Sequence, residues 1–365
     1  MIPSWRIEVG QEAAEAVARA MAREHISMGV ETERFEKELA NLLDVPHAVC
    51  FPSGTAGLLV SLLAVGVGPG DEVIVPVRTW IATANAAALL GARVVLVDCT
   101  PERPVIDPEQ VDKVLTPRTK AILPVHLNGR AADLEALREL AAPRKIALIE
   151  DACQAFLSRH PDGEYLGRAG RFGCFSLGIA KLLTTGQGGF VVCHTSEDHD
   201  RLRRIRNQGF LGTSQVDPET LLGGNFKFTD LQSAMGLAQL PKLKRRIEHQ
   251  RRLFNAYREG LAGLDWIRLA PVDLEGGEVP LRAECLCPRR GAFTQAMERA
   301  GIQVKPLGRN VDQYPHFAGQ GPFPRAASLD QQLVMLPSGP EQPLENVQET
   351  IRVMRLLDGN FAPSR

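Results

Sequence analysis

The sequence predicts an α/β fold: a large, mostly parallel α/β/α sandwich over residues 1–244, opened by an N-terminal helical segment, and a smaller α+β unit over 245–365. Three observations predict it. Short β-branched apolar runs alternate with helical segments through the first three-fifths of the chain. Those runs are apolar without alternation, as strands buried on both faces of a parallel sheet are. Past residue 245 the regular alternation stops, and short strands, helices and loops follow one another without a repeat.

The elements follow in order. "PSGTAGLLVSLL" (52–63) reads as a turn that opens a helix near Thr55. "GVGPG" (66–70) is glycine-rich, but it follows a helix and precedes a strand. A dinucleotide fingerprint needs the reverse order, so these glycines read as a helix stop and tight turn. Strands are expected at "DEVIVPV" (71–77), "RVVLVDC" (93–99), "KAILPVHL" (120–127) and "KIALIED" (145–151). Helices are expected between them at "IATANAAALLG" (81–91), "DPEQVDKVL" (107–115) and "ADLEALRELAA" (132–142). "DPEQ" opens with a capping aspartate and a proline at the first helical position. Strand–helix alternation of this kind implies right-handed crossovers. "CFSL" (174–177) and "GFVVCHT" (189–195) are two further strands.

A long amphipathic helix is expected over 240–264, with Leu243, Ile247, Phe254 and Leu261 near one stripe. Beyond it come the strand "RAECLCP" (282–288) and helices at 291–301 and 344–357.

Composition narrows the class of function. The chain has 365 residues, 44% hydrophobic and 23% charged, with a formal net charge of −1. That balance calls for neither nucleic acid nor an anionic membrane. No run approaches the roughly 18 apolar residues of a membrane span, and the first residues lack a signal-peptide layout. The seven cysteines are scattered and mostly set in strand-like runs. They read as reduced, buried thiols of a cytoplasmic protein. "CLC" at 285–287 lacks metal-ligand spacing, and no metal is expected.

Three stretches carry candidate chemistry. At 52–57, free N–H groups of a helix start, the Thr55 hydroxyl and the positive dipole end suit a phosphate, although an ordinary N-cap explains "SGT" equally well. In "LIEDACQA" (148–155), Asp151 stands at the C-terminal end of a strand, where open α/β sheets bind ligands. A surface or capping acid is the plainer reading. In "SLGIAKLLTTGQ" (176–187), Lys181 is a cation among small and apolar residues. It is either a snorkelling loop lysine or an amine whose desolvation makes it a nucleophile toward carbonyls. Together the three describe one cofactor. An aldehyde would meet Lys181, a protonated ring nitrogen Asp151, and a phosphate the 53–57 turn. Pyridoxal 5′-phosphate has these three groups.

The succession "SGTAGL", "DEVIVPVRTWIATANAAALLGARVVLVD", "TPRTKAILPVHLNGRAADLEAL", "IEDACQA", "FSLGIAKLLTTGQGGFVV" and "GGNFKFTDLQSAMGLAQL" closely resembles the DegT/DnrJ/EryC1/StrS family. These are sugar aminotransferases of the fold-type I, aspartate-aminotransferase-like class. The resemblance covers residues 2–245 and weakens through the small unit. It implies that Lys181 is the internal-aldimine lysine and catalytic base, and that Asp151 binds the pyridinium nitrogen. Gln154 would approach the ring hydroxyl, and Trp80 would stack on the ring. Thr55, Ala56 and Ser176 would hold the phosphate. Asn225 would reach the phosphate of a neighbouring subunit, which implies a homodimer with shared active sites. His126 would either line the pocket or serve as a buried structural histidine.

Departures from the family lie at Gln187, often glutamate, and Lys227, often arginine. A larger one is "KPLGRNVDQYPH" (305–316), where many relatives carry a histidine- and tyrosine-bearing loop that helps hold the sugar nucleotide. Lys305 and Arg309 could pair with a diphosphate there or be surface charges.

The expected function is transfer of an amine from an amino acid, expected to be glutamate, to a keto sugar carried by a nucleotide. Three alternatives stand beside it. One is a sugar dehydratase, a branch with histidine at the lysine position, which Lys181 opposes. The others are a keto-cyclitol aminotransferase of the aminoglycoside type and a non-catalytic cofactor-binding regulator.

Overall fold

The computed structural model describes residues 1–24, 26–211 and 221–361. Seven strands form the main sheet: β1 (His47–Phe51), β2 (Glu72–Pro76), β3 (Arg93–Val97), β4 (Thr119–Ile122), β5 (Ala147–Asp151), β6 (Phe172–Ser176) and β7 (Gly189–Cys193). Their order is β1-β7-β6-β5-β4-β2-β3, and β7 alone runs against the others. The expected strands are all present. β1 is an addition, because "HAVCF" is short and directly follows the turn at Pro46.

The apolar runs lack alternation because both faces of the sheet are covered. On β2, Val73 and Val75 join the cluster that includes Leu58 and Leu62 of helix Gly54–Ala64. Ile74 joins the opposite cluster with Leu134 and Leu137 of helix Leu134–Ala141. On β6, Cys174 packs on the first side and Phe175 stacks on Phe190 of β7 at 4.6 Å between ring centroids. Helix Ser196–Arg206 escapes the sequence pattern because Leu202 and Ile205 are its only apolar residues.

The strand order reverses at β2, which has β3 on one side and β4 on the other. Open α/β sheets bind ligands outside the carboxyl ends of their strands at such a switch. The loops after β2, β4, β5 and β6 all leave from that edge.

The second sheet is antiparallel, in the order β10-β11-β9-β8, from β8 (Arg268–Leu269), β9 (Glu284–Leu286), β10 (Lys305–Pro306) and β11 (Leu333–Met335). Cys285 and Cys287 point into its apolar core. The first residues, expected with the large sheet, lie on this one: Ile2 donates its N–H to Gly301 O at 2.8 Å, and Ser4 bonds Gln303. Helix Leu243–Gly260 buries Leu243, Phe254 and Tyr257, but also Arg246 and Gln250. Arg246 is completely buried and donates to Leu182 O at 3.0 Å and to Glu8 O at 2.7 Å. Among the described residues no helix is long and apolar enough to cross a membrane.

Candidate active site

A cleft of about 510 Å³ opens at the carboxyl edge of the main sheet and is closed on its far side by β9, β10 and β11. Asp151, the last residue of β5, lies at its floor and is 5% exposed. The Thr83 hydroxyl lies 2.7 Å from its Oδ2, and the Cys153 N–H donates to Oδ1 at 3.1 Å. Thr79 stands 3.0 Å behind Thr83, so the two hydroxyls form a short donor chain onto the carboxylate. A buried carboxylate needs such donors.

Lys181 comes from the loop between β6 and β7 and reaches the same cleft. Its Nζ has no hydrogen-bond or ion-pair partner among the described residues. Burial pulls its ammonium down to about 8; the charge of Arg282 adds to the fall, while Cys153 and Asp151 oppose it. The loop is tied from behind, where Arg246 holds the Leu182 carbonyl and Gln239 donates to Thr184 O at 2.7 Å. The lysine is thus a free amine on a fixed loop.

Ser53 caps helix Gly54–Ala64, its hydroxyl accepting from the Ala56 N–H at 3.0 Å. Gly54 and Thr55 keep N–H groups without partners among the described residues, as first-turn amides do. The turn sits tightly against its neighbours: a Cβ on Gly54 would meet Cys153 Sγ at 2.7 Å, and one on Gly189 would meet the Gly54 nitrogen at 2.5 Å. Ser53, Gly54 and Thr55 line the cleft, together with Ser176 at the end of β6. The Ala56 N–H is taken by Ser53 Oγ, and its side chain packs on the core.

Trp80 follows β2 and is 64% exposed, with its ring edge beside Gly308. Gln154 also lines the cleft, and its Oε1 accepts from Asn128 N–H at 3.1 Å and from Arg282 at 3.3 Å. Lys305 is on the rim. Arg309 is exposed but does not line the cleft, and Asn225 is exposed and likewise lies outside its wall.

His126 lies behind the cleft wall. Val125 and Leu127 line the cleft, while His126 between them faces the interior with no exposure. Its Nε2 lies 2.7 Å from Glu150 Oε2, and its Nδ1 accepts from the Ala132 N–H at 3.2 Å. Burial alone would raise the Glu150 carboxyl, but His126 and the Gly170 and Gly167 N–H groups hold it below the usual range.

Sequence reasoning missed Thr83, Arg78, Arg282 and Glu284. Arg78 is 4% exposed and pins the loop after β10, donating to Gly308 O at 2.6 Å, Asn310 Oδ1 at 3.1 Å and Asp330 Oδ1 at 3.0 Å. "RTW" placed Arg78 two residues before Trp80, a usable signal. Arg282 and Glu284 alternate with the buried Ala283 and Cys285, a period-2 pattern that also marked them.

The residues fit pyridoxal phosphate. A partnerless amine of lowered pKa, a donor-supported carboxylate and a helix start with free amides surround one space large enough for the cofactor and a substrate.

Comparisons with known proteins identify the family. The model of the DegT/DnrJ/EryC1/StrS aminotransferase family matches residues 8–355. The chain is 35% identical over 357 residues to the dTDP-3-amino-3,4,6-trideoxy-alpha-D-glucose transaminase of Streptomyces venezuelae, covering 96% of this chain and 92% of that protein. It is 34% identical over 303 residues to the GDP-perosamine synthase of Caulobacter vibrioides, covering 80% of each. Among solved structures, DesV of S. venezuelae in complex with a ketimine intermediate superposes with a TM-score of 0.88 at 35% identity, covering 95% of this chain and 94% of that one.

Proposed function

Since the chain belongs to the DegT/DnrJ/EryC1/StrS aminotransferase family and is an aminotransferase, we propose that it moves the amine of an amino acid, glutamate by expectation, onto a keto sugar linked to a nucleotide. The observation that carries the reading is the meeting of Lys181, Asp151 and the 53–55 helix start around one cleft. The names of the two curated relatives, one a dTDP-sugar and one a GDP-sugar enzyme, support a nucleotide-linked acceptor.

Pyridoxal phosphate, when bound, supplies an aldehyde and an electron-accepting ring. The chain's residues do the rest. Gly54 and Thr55 N–H groups and the Thr55 and Ser176 hydroxyls bind the phosphate at the positive end of the helix dipole. Trp80 offers a flat, exposed face for the ring. Asp151, oriented by Thr83, accepts a hydrogen bond from the ring nitrogen and holds its proton there. Gln154 is within the same wall to meet the ring hydroxyl. Lys181 Nζ, with its pKa lowered to about 8, would take the proton from the carbon that bears the amine and deliver it, across the shared nitrogen, to the cofactor's former aldehyde carbon.

Asn225 completes the phosphate site of a second subunit, which makes the working unit a homodimer. Lys305 on the rim meets the diphosphate of the acceptor. Arg309, outside the cleft wall, is left to the surface. The seven cysteines are free thiols, which suits a reducing compartment such as the cytoplasm.

The test is amine transfer itself. Cofactor-loaded protein is incubated with nitrogen-labelled glutamate and a panel of dTDP- and GDP-linked keto hexoses, and products are read by mass. Label in a sugar nucleotide is the expected result. Labelled product from a keto cyclitol and from no nucleotide sugar would overturn the reading.

A further inference from the structure

β9 carries charge on one face. Ala283, Cys285 and Cys287 pack into the core of the small sheet, so Arg282 and Glu284 turn the other way and line the cleft. Glu284 is 2% exposed. Its Oε2 accepts from Arg130 Nη1 at 2.7 Å. Arg130 is completely buried, and its Nε donates to Pro271 O at 2.7 Å. The carboxylate is therefore fixed from behind. Its second oxygen, Oε1, has no hydrogen-bond partner among the described residues.

A carboxylate oxygen in the cleft wall with no protein donor of its own is open to a donor from a ligand. The nearby cations Arg78 and Arg282 lie within charge range of it but make their hydrogen bonds elsewhere. Arg78 is committed to Gly308, Asn310 and Asp330, and Arg282 to Gln154 and the face of Trp5. Glu284 and Asp151 are the only acids along the cleft among the described residues. Asp151 has its own donors, which leaves Glu284 Oε1 as the carboxylate oxygen in the cleft wall that is free to accept from a ligand.

We propose that Glu284 is a specificity residue for the acceptor substrate: its Oε1 accepts a hydrogen bond from a hydroxyl of a neutral, polyhydroxylated ring. The proposal rests on the nucleotide-sugar reading above and deepens it. A sugar hydroxyl is a donor and carries no charge, so it satisfies the carboxylate. An amino-acid donor brings carboxylates of its own, which Glu284 repels. The two halves of the transamination therefore feel this residue differently.

The test uses cofactor-loaded Glu284→Gln. Arg130 takes the amide oxygen, so the cleft now faces an amide N–H in place of a charged acceptor. Conversion of the cofactor's aldehyde form to its amine form by glutamate alone, with release of 2-oxoglutarate, should be no slower than in wild type when followed in single turnover, because a repelling charge has gone. KM for the keto-sugar acceptor should rise about tenfold, the loss of one charge-assisted hydrogen bond. Binding of dTDP-glucose, GDP-mannose and their monodeoxy analogues, measured by competition, identifies the hydroxyl. Wild type should lose about tenfold on removal of one particular hydroxyl, and the variant should be indifferent to it. Glu284→Asp, which keeps the charge but withdraws it, should lose the same discrimination and serves if the glutamine variant folds poorly. Identical hydroxyl profiles in variant and wild type, or an equal effect on both half-reactions, would overturn the proposal and leave the residue a structural partner of Arg130. Failure of wild type itself to bind any nucleotide sugar would overturn the nucleotide-sugar reading, and this proposal with it.

Discussion

Thr83 and Asp151 meet at the floor of the cleft, with the threonine hydroxyl 2.7 Å from Asp151 Oδ2 and both side chains buried. The threonine comes from helix Ala82–Ala88 and the acid from the end of β5, so the contact joins two crossover units. It fixes the direction in which the carboxylate faces the bound ring. Asp151→Asn should keep the fold and lower turnover by about two to three orders of magnitude, because an amide does not hold a ring nitrogen protonated. Thr83→Val should cost about tenfold and Thr83→Ser almost nothing, since serine keeps the donor. Steady-state kinetics on the three variants decides it. A near wild-type rate for Asp151→Asn would make Asp151 a structural acid.

Lys181 predicts a pH dependence. Its folded pKa of about 8 lies below the 10.5 of an ordinary lysine, so between those values the unfolded chain binds more protons than the folded one. Stability of the cofactor-free protein therefore rises with pH across that window. Below it, the folded state carries the full cost of a desolvated ammonium. Lys181→Met should melt a few degrees higher than wild type at pH 7, and the difference should shrink from pH 8 to 10.5. Thermal scans of the apo proteins over that range measure it. A difference that stays constant with pH would contradict the lowered pKa.

The same lysine should be the single point of covalent attachment. Borohydride reduction of the cofactor-loaded protein should leave the cofactor's mass on the peptide that contains Lys181. Lys181→Ala should still bind the cofactor through ring and phosphate contacts, with turnover lower by many orders of magnitude. Labelling of another lysine would sink the assignment.

A shared site predicts complementation. Lys181→Ala and Asn225→Asp should each be inactive, the second through a carboxylate placed beside a phosphate. Mixed after reversible dissociation, they form heterodimers in which one site pairs Lys181 with an intact Asn225 from the other chain. Activity should recover to about a quarter of wild type for random pairing of equal amounts. Heterodimers without activity would mean that Asn225 serves its own chain.

His126 should behave as a structural residue. His126→Ala leaves the buried Glu150 carboxylate without one of its donors and should cost about 3 kcal/mol of stability in denaturant titration. The folded fraction should keep its KM for both substrates. A raised KM with unchanged stability would return His126 to the pocket.

Much of this was legible in the chain itself. Uninterrupted apolar runs such as "DEVIVPV" announced strands covered on both faces, and the order of those runs announced a parallel sheet whose carboxyl edge holds ligands. Lys181 and Asp151 stood out because a lone cation in an apolar run and an acid at a strand end both need partners. Local sequence carries that information, since burial pattern and strand polarity are set within a few residues. It does not carry which side chains meet across the fold. Ser53 and Ala56 compete for the same turn, and only the cap geometry shows the serine taking the alanine's N–H. His126 sits between two cleft-lining neighbours where the chain enters a 3-10 turn past β4, and that bend turns it inward to Glu150. Arg246 looks like a surface arginine of a charged helix, yet it is buried because carbonyls from two distant loops converge on it. Glu284 reads as an exposed strand acid until Arg130, 154 residues away, is seen to lock one of its oxygens and leave the other facing the cleft. These facts depend on long-range packing, where the partner that satisfies a polar group is chosen by the tertiary arrangement and leaves no trace in the residues beside it.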